Sequence, residues 1–429
     1  MRNRLNLFQH TMLHWRDIHP YNAVHVVVVA EALDGARLGE AITRELQARG
    51  LAHLELDRAR GWYEWHGGRQ EADLKLLPDD DPPALVHDEI ARQLNAAFPA
   101  DGRISPFRFF AVDAGSSFYL GLGYDHFVAG GDSIVGLLSG IVGRYRGESA
   151  AQDTVSDAST PAYAGVLLRQ AGVLLRGLTS LPALVASCRR SFRPAYATID
   201  DGQNAFARLR LGLPEQAALI RAAQSWGVTQ NDLFMTILLK VLSPLAAKRR
   251  QQSRRRELAV ASIVNIRRDF GSQAQHAFVP LLASFRVSHL VPDEIGVKEL
   301  AHFVHKESER IKRGKLYLQT LLALGLAALE WRFMSERRRR RFFAKHCPVW
   351  AGTTPLNVAP LWTHAGGRGP APEYLRAVST GPLAPMICAI STADEFVNVG
   401  ITYRTAAFER GTVEGVVADM LCRIKSLQT

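Results

Sequence analysis

The feature that most constrains the fold is a strand pattern followed at once by a helix pattern. Residues 23–30 read AVHVVVVA, a β-branched run that is too short to span a bilayer and is typical of a buried strand. Residues 34–50 then carry apolar side chains at helical spacing and end on a glycine, Gly50. This βα unit predicts an α/β protein.

The second half of the chain shows the same alternation. Strand patterns in FARLRLGL and ELAVASIVNI enclose two helix patterns, and the strand-like LASFRVSHLV comes next. Residues 297–345 are strongly helical in pattern, and residues 381–404 predict a hairpin. A chain of 429 residues exceeds the size at which one hydrophobic core stops growing. We therefore predict two lobes, at residues 1–195 and 196–429, each mixing strands and helices.

Composition narrows the class of protein. With 47% hydrophobic and 22% charged residues, the chain matches soluble globular proteins rather than disordered or fibrous ones. The first residues contain no apolar segment of the secretory type, so we expect a cytoplasmic location. The cysteines have no metal-binding spacing, so we predict reduced, mostly packed thiols and no metal site; they are Cys188, Cys347, Cys388 and Cys422.

The net charge of +11 is concentrated in two arginine-rich runs, at residues 247–257 and 335–345. Such runs favour an acidic partner, although they are equally typical of solvated helix ends. No nucleic-acid-binding signature accompanies them, so we do not expect a nucleic-acid partner.

One histidine is placed where α/β folds keep reactive groups. FRFFAVD and SSFYLGLGYDH predict two strands joined by a short turn, and SIVGLLSGIVGRY predicts the helix that follows, with Asp132 or Ser133 as its cap. His126 therefore lies in a strand-to-helix loop, just before Gly130 and Gly131. A neutral imidazole can take a proton from an attacking hydroxyl or amine, and glycines let a substrate approach. The alternative is a histidine with a structural role only.

The same segment resembles a known family motif. The order strand, His-x-x-x-Asp-Gly-x-Ser, helix marks the chloramphenicol-acetyltransferase-like superfamily, which includes condensation domains of peptide synthetases and bacterial wax ester synthase/diacylglycerol acyltransferases. Here the motif reads from His126 to Ser133. The histidine, Gly131 and the serine match, whereas Gly130 stands where the family has aspartate and Asp125 stands where it usually has another histidine.

Other segments carry the resemblance along nearly the full chain. GVTQNDLFMTILLKVL resembles the Asn-Asp helix of the wax ester synthase branch, with Asn231 and Asp232 in the matching places. SIVNIRRD resembles a family strand that ends in Val-Asn-Leu-Arg, and PLNVAP, with Asn357, resembles a Ser-Asn-Val-Pro-Gly-Pro loop. The opening QHTMLHWRDIHPYNAVHVVV is similar to the family's first strand and its lead-in.

The resemblance implies a fold and a reaction. It implies two acetyltransferase-like lobes with an active-site channel between them and His126 at its middle. It further implies that His126 deprotonates an acceptor that attacks a thioester directly, with no acyl-enzyme. Acyl-coenzyme A or the phosphopantetheine thioester of an acyl carrier protein is then the co-substrate, and no bound cofactor is expected.

The absent aspartate bears on activity, because in the family it pairs with an arginine and holds the loop. Asp132 could replace it by reaching Arg267 or Arg268, which the VNIRR resemblance brings near. Asp125 is another candidate. If neither does so, the chain could be a degenerate member that binds without turnover.

The remaining motif residues keep two interpretations. Asn231 and Asp232 either line the substrate channel or cap the start of their helix, and Asn357 either lines the channel or forms a turn. Ser133 is interpreted as a helix cap rather than a nucleophile.

Two surfaces bear on donor and acceptor. The segment at 316–333 is apolar but interrupted by polar residues, which predicts a core helix. Together with the arginine-flanked helix at 166–178, it could instead attach the protein peripherally to an anionic membrane. The basic run from Arg337 to Arg341 would equally suit an acidic carrier protein.

The leading functional hypothesis is thioester-dependent acyl transfer to a hydroxyl, which forms an ester. Two alternatives stay open. One is a catalytically silent binding member of the family, and the other is amide formation as in condensation domains.

Overall fold

The computed structural model describes residues 2–68, 71–77, 81–148, 171–247, 255–271, 274, 277–290, 292–331, 333–362 and 371–427. Most of the basic run at 247–257 and the first part of the helix expected at 166–178 lie outside these residues. Within them the fold is mixed α/β, as predicted.

Eleven helices occur in the described part of the chain: α1 Leu7–Arg16, α2 Gly35–Ala48, α3 Pro82–Asn95, α4 Gly131–Tyr145, α5 Ala171–Arg190, α6 Leu213–Trp226, α7 Gln230–Ala247, α8 Val297–Arg313, α9 Leu318–Trp331, α10 Glu336–His346 and α11 Arg410–Ser426. The strands found there are β1 Arg2–Arg4, β2 Asn22–Val29, β3 His53–Asp57, β4 Trp62–His66, β5 Leu74–Leu77, β6 Gly102–Ile104, β7 Phe107–Asp113, β8 Phe118–Asp125, β9 Asn204–Leu211, β10 Glu257–Asn265, β11 Leu282–Leu290, β12 Ala351–Asn357, β13 Tyr374–Val378, β14 Met386–Thr392 and β15 Val397–Arg404.

A five-stranded sheet in the order β13-β2-β8-β7-β5 carries the histidine loop. Its β2 is the predicted β-branched strand and is buried along nearly its whole length, because α3 packs on one face and α4 on the other. β7 and β8 form the predicted hairpin, which is antiparallel throughout. The register of β2 with β8 pairs Asn22 with Asp125, so β8 ends beside the start of β2.

The second large sheet has six strands in the order β11-β10-β12-β14-β15-β9. β14 and β15 form the predicted terminal hairpin. β10 and β12 run parallel, as do β12 and β14. A smaller sheet, β1-β4-β3-β6, lies in the first half of the chain.

One strand connects the two halves. β13 follows residue 371 in sequence, yet it pairs antiparallel with β2 in the first large sheet, with Arg376 opposite His25. The halves therefore share a sheet, and sequence patterns gave no indication of this exchange. The boundary between residues 195 and 196 stays a prediction, since β13 belongs by sequence to one side of it and by pairing to the other.

The second half supplies the helices that were expected. α8, α9 and α10 occupy the strongly helical segment, and α9 buries one face made of Leu318, Leu321, Leu324, Ala327 and Trp331. A core helix was the first interpretation of this segment, and the buried face agrees with it. No helix within the described ranges is long and apolar enough to span a bilayer.

Candidate active site

The loop between β8 and α4 holds His126 at the end of the five-stranded sheet. The His126 backbone N–H donates to the carbonyl of Tyr21 at 3.2 Å, and the N–H of Val128 donates to the carbonyl of Asp125 at 3.1 Å. These bonds turn the chain tightly after the strand. The predicted strand-to-helix position of His126 is therefore confirmed.

Aromatic rings enclose the imidazole of His126, which is only 7% exposed. The Tyr21 ring stacks on it at a centroid distance of 5.5 Å, and the Tyr124 ring meets it edge-on at 5.8 Å. Nδ1 lies 3.3 Å from the carbonyl oxygen of Ala129. A carbonyl can only accept, so Nδ1 is the protonated nitrogen and the lone pair is on Nε2. Within the described residues Nε2 has no hydrogen-bond partner.

The surroundings keep this histidine neutral. The pKa of His126 is lowered from 6.5 to about 4, chiefly by burial and also by the positive charge of Arg376, while the bond to Ala129 opposes the change. A ring that is neutral near pH 7 has a lone pair available to accept a proton. The site therefore presents an unprotonated Nε2 in buried surroundings.

An ion pair holds the chain just before the histidine. Asp125 is buried and pairs with a guanidinium nitrogen of Arg16 on α1. The same guanidinium donates to the carbonyl of Ala100 at 2.6 Å. Burial raises the pKa of Asp125 although Arg16 lowers it, so desolvation is the stronger effect. Asp125 is thus bound within the first half of the chain and does not replace the family's missing aspartate.

A second ion pair holds the chain just after the histidine. Asp132, in the first turn of α4, pairs with Nε of Arg267, which lies two residues beyond the end of β10. Asn265 also donates its side-chain amide to Asp132, at 3.1 Å. The predicted contact between Asp132 and Arg267 is therefore present. Arg268, the other candidate, is exposed and makes no contact with Asp132.

Arg267 is fixed by more than this carboxylate. Its guanidinium donates to Ser133 Oγ at 2.9 Å, and it donates to backbone carbonyls of the segment before β11 at 2.7–2.9 Å, namely those of Ala274, Ala277 and Val279. The ion pair consequently attaches the histidine loop, which ends the five-stranded sheet, to the end of a strand in the six-stranded sheet.

Gly130 and Asp132 act together. A β-carbon added at Gly130 would lie 2.8 Å from Oδ1 of Asp132. The space that an aspartate side chain at position 130 would enter is therefore already occupied by the carboxylate of residue 132. Asp132 can occupy this space only because residue 130 is a glycine.

The helix cap was predicted wrongly. α4 begins at Gly131 with Gly130 as its N-cap, and no side chain caps it. Ser133 does not cap the helix, because its hydroxyl accepts from Arg267. Asp132 accepts from the backbone N–H of Ser133 at 3.0 Å, but from within the first turn rather than ahead of it. Both side chains instead contact Arg267, which follows a strand of the six-stranded sheet.

A further layer lies behind the histidine. The His25 ring bonds the hydroxyl of Tyr374 at 2.7 Å and that of Tyr124 at 3.4 Å. Burial lowers the pKa of His25 well below 6.5, with Arg376 and His126 adding to the effect. Arg376 is itself buried, and burial lowers its pKa to about 10.

Asn231 and Asp232 make structural contacts. The Asn231 amide bridges β10 and β12 through Ser262 at 3.1 Å and Thr353 at 3.0 Å. Asp232 is fully buried and accepts from the backbone N–H of Thr229 at 3.0 Å, at the start of α7. This favours the capping interpretation of Asp232.

Asp232 also joins α7 to α8. It accepts from His305 at 2.8 Å and from Ser308 at 2.7 Å. Burial alone would raise the pKa of Asp232, but the bonds from His305, Thr229 and Ser308 together lower it. Asn357, at the end of β12, is exposed. Channel roles for Asn231 and Asn357 stay predictions, as does the channel itself.

Several site residues escaped sequence reasoning. Tyr21, Tyr124, His25 and Arg376 come from three strands and a loop, and no spacing in the chain relates them. The one available signal was the alternation in β2, which places His25 within a buried apolar run. Arg16, the partner of Asp125, lay within the opening segment that resembles the family, but nothing marked it as a site residue.

The cysteines are free thiols. Cys188 on α5 and Cys347 after α10 nevertheless lie with their Sγ atoms 3.6 Å apart. A hydrogen bond from the neighbouring thiol lowers the pKa of Cys188 to about 7. No cluster of metal-ligating side chains occurs among the residues that the structure describes.

Comparison with known proteins identifies the fold. No protein-family model matches the chain, and no curated protein matches its sequence. Solved structures do match over the full length. The first condensation domain of the calcium-dependent antibiotic synthetase, solved with a substrate analogue, superposes with a TM-score of 0.69 at 16% identity, covering 100% of this chain and 97% of that one.

Other synthetase domains superpose similarly. The cyclization-docking bidomain of EpoB from Sorangium cellulosum gives a TM-score of 0.72 at 10% identity, covering 100% of this chain and 84% of that one. The epimerization domain from the third module of tyrocidine synthetase B gives 0.65 at 12% identity, covering 100% and 96%. The chain has the two-lobed fold of these condensation domains. The predicted fold class is therefore confirmed.

Proposed function

We propose that this protein is an acyltransferase that moves an acyl group from a thioester to a hydroxyl acceptor, with His126 as the general base. The observation that carries the proposal is the state of that ring. Its Nδ1–H donates to the carbonyl of Ala129, its pKa is lowered to about 4, and its Nε2 is left unprotonated.

The reaction needs one base and no covalent enzyme intermediate. Nε2 takes the proton of the acceptor hydroxyl as the oxygen attacks the thioester carbonyl, and a tetrahedral oxyanion forms. The oxyanion collapses, the carbon–sulfur bond breaks, and the protonated ring returns its proton to the leaving thiolate. The products are the ester and the free thiol.

The donor is proposed to be acyl-coenzyme A or an acyl group on the phosphopantetheine of a carrier protein. α10 offers a landing surface for an acidic carrier through Arg337, Arg338 and Arg341, which are exposed. Arg340 is used otherwise, because it pairs with Glu336 at 2.5 Å. Charge-reversal of the exposed arginines should slow transfer from a carrier protein and leave transfer from coenzyme A unchanged.

Peripheral membrane contact is the second part of the proposal, and exposed apolar side chains support it. α5 packs against α9. Six large apolar side chains are exposed on these helices and just beyond α9: Leu175, Leu184, Val185, Leu326, Leu329 and Phe333. Apolar side chains bordered by arginines are typical of proteins that lie on anionic bilayers. Flotation with anionic vesicles, compared with a Leu326→Ser/Phe333→Ser variant, tests this.

Two alternative functions make distinct predictions. Amide formation needs the same base, and condensation domains share the fold, so an amine acceptor would replace the hydroxyl. A binding member without turnover would be expected if the loop had lost its support. The ion pair between Asp132 and Arg267 weighs against that, because it supplies a support of the kind that Gly130 cannot give.

The direct test is a panel of acyl-coenzyme A and acyl-carrier thioesters with alcohols and amines, read by mass spectrometry. His126→Ala should keep the fold and lower transfer by roughly two to four powers of ten, the usual contribution of a positioned general base. His302→Ala, which removes an exposed histidine on α8, is the matched control and should be unchanged.

A thiol titration separates direct transfer from an acyl-enzyme route. Free thiol should appear only when an acceptor is present. A burst of thiol without acceptor, together with acylated protein, would contradict direct transfer. Wild-type turnover by a folded His126→Ala variant would contradict the role of the histidine.

A further inference from the structure

A buried arginine behind the histidine has no carboxylate among its hydrogen-bond partners in the described part of the chain, and the carboxylate whose charge acts on it, that of Asp132, is already paired with Arg267. Arg376 is 3% exposed, and its hydrogen bonds go to neutral acceptors. Nε donates to Ser391 Oγ at 3.0 Å, and Nη2 donates to the carbonyls of Thr354 at 2.5 Å and Ile390 at 2.8 Å. A buried cation is costly unless it is paired, so an anion is expected beside it.

One nitrogen of this guanidinium remains available. In the described part of the chain Nη1 has no acceptor, and it lies 3.1 Å from where a β-carbon on Gly131 would be. That same position is 3.4 Å from Leu356 and 3.6 Å from the His25 ring. A larger residue at 131 would therefore press on the free nitrogen.

The start of α4 adds positive potential at the same point. Gly131 and Asp132 are the first residues of the helix, and backbone N–H groups there have no partner within the helix. A helix of fifteen residues presents a partial positive charge at this end. Arg376 thus stands beside a helix N-terminus and within electrostatic reach of His126.

We infer that Nη1 of Arg376 and the N-terminus of α4 form an anion-binding site that stabilises the oxyanion of the tetrahedral intermediate. The inference rests on the proposed function, because the oxyanion arises only if acyl transfer occurs there. When the acceptor oxygen attacks, the carbonyl π electrons move to the carbonyl oxygen, and the guanidinium and the helix amides receive that charge. Arg376 is then a catalytic residue alongside His126.

The anion bound at this site could instead be a carboxylate of a substrate. Such a carboxylate would bind in the ground state, before the acceptor attacks the thioester. Kinetics separate the two. Loss of an oxyanion donor lowers kcat by roughly 10²–10³ with little change in KM. Loss of a partner for a ground-state carboxylate raises KM instead.

The first test uses acetate alone and needs no substrate. Acetate should raise the pKa of His126, followed by NMR of labelled histidine, in a saturable manner beyond that of sodium chloride at equal ionic strength. Arg376→Gln should abolish the saturable change. Arg404→Gln is the matched control, since Arg404 is equally buried but lies near Tyr196 rather than His126.

The second test is turnover by the same variants, with thermal melting to establish that they fold. Arg376→Gln should lower kcat by roughly 10²–10³ at nearly constant KM, and Arg376→Lys should recover part of the loss. If Arg376→Gln is unfolded, Gly131→Ala, whose β-carbon would lie 3.1 Å from Nη1, replaces it in the acetate titration and should weaken the saturable change.

Three results overturn the inference: no saturable acetate effect in the wild type, the same effect in Arg376→Gln, or a change in KM alone. If no substrate in the panel turns over, the proposed function fails, while the acetate titration still decides whether the anion site exists.

Discussion

Two ion pairs flank His126, and they hold it in different ways. Asp125 and Arg16 lie on the side before the histidine, where both side chains are buried and both belong to the first half of the chain. Asp132 and Arg267 lie on the side after it, are somewhat more exposed, and join the two halves. The first pair fixes the end of β8, whereas the second fixes the far end of the histidine loop to the opposite sheet.

The two ion pairs should differ in how much each contributes to the free energy of unfolding. Removal from water costs a fully buried carboxylate more, and burial raises the pKa of Asp125 despite its partner. Arg267 has further acceptors in Ser133 and three backbone carbonyls, so its loss would leave several groups unpaired. The more exposed pair should therefore contribute more to stability.

Removing Arg267 should have the largest effect. Arg267→Met leaves Asp132 without its cationic partner and removes the donor to the three carbonyls, and breaking such a pair costs about 3–5 kcal/mol of unfolding free energy. Urea denaturation measures it. The neighbouring Arg268→Met removes an exposed arginine and should change stability by less than about 0.5 kcal/mol. Equal losses in the two variants would contradict the asymmetry.

The next largest loss of stability is expected from Gly130→Asp, which restores the aspartate of the family motif. In Gly130→Asp the new β-carbon comes 2.8 Å from Oδ1 of Asp132, and overpacking of this kind costs about 1–3 kcal/mol. The backbone itself allows the change, because φ at Gly130 is −85°.

Moving the carboxylate tests the same arrangement. Gly130→Asp/Asp132→Ala should be more stable than the sum of its single changes predicts, by at least about 1 kcal/mol, since one aspartate then reaches Arg267 without a clash. Additive losses, measured by thermal and urea unfolding of all three variants, would show that the two positions are independent.

The buried pair should show the smallest effect, and one that depends on pH. Asp125→Asn keeps an acceptor for Arg16, so its cost near pH 7 should be about 1 kcal/mol or less. The folded-state pKa of Asp125 is raised above 3.8, so the ionised form lowers stability at neutral pH.

The raised pKa of Asp125 determines how the stability changes with pH. As pH falls through the raised pKa, the folded wild type takes up a proton before the unfolded chain does, and its stability rises relative to Asp125→Asn. Unfolding of both proteins between neutral pH and pH 4 checks this. A wild type that loses stability relative to the variant on acidification would show that Arg16 outweighs burial.

The sequence predicted the parts that depend on local order. The β-branched run of β2, the hairpin of β7 and β8, and the loop position of His126 follow from periodicity and turn residues, which act between near neighbours. The contact of Asp132 with Arg267 was predictable only because resemblance placed two distant segments together.

Other features depend on pairings that no local pattern specifies. β13 crosses to the other sheet, and this is what brings Arg376 opposite His25. The prediction for the cap of α4 was wrong for a related reason. Arg267, which follows a strand of the second sheet, binds the side chains of Asp132 and Ser133, so they do not cap the helix. The pairing of Cys188 with Cys347 likewise joins two helices far apart in sequence.

The central claim is that burial and the carbonyl of Ala129, in a loop that the two ion pairs hold, present His126 as a neutral base with its lone pair on Nε2. NMR of ¹⁵N-labelled histidine tests this without any substrate. The account predicts a proton on Nδ1 and none on Nε2 at pH 7, and a titration midpoint near pH 4 rather than 6.5. A proton on Nε2 at pH 7, or a midpoint near the ordinary value, would contradict it.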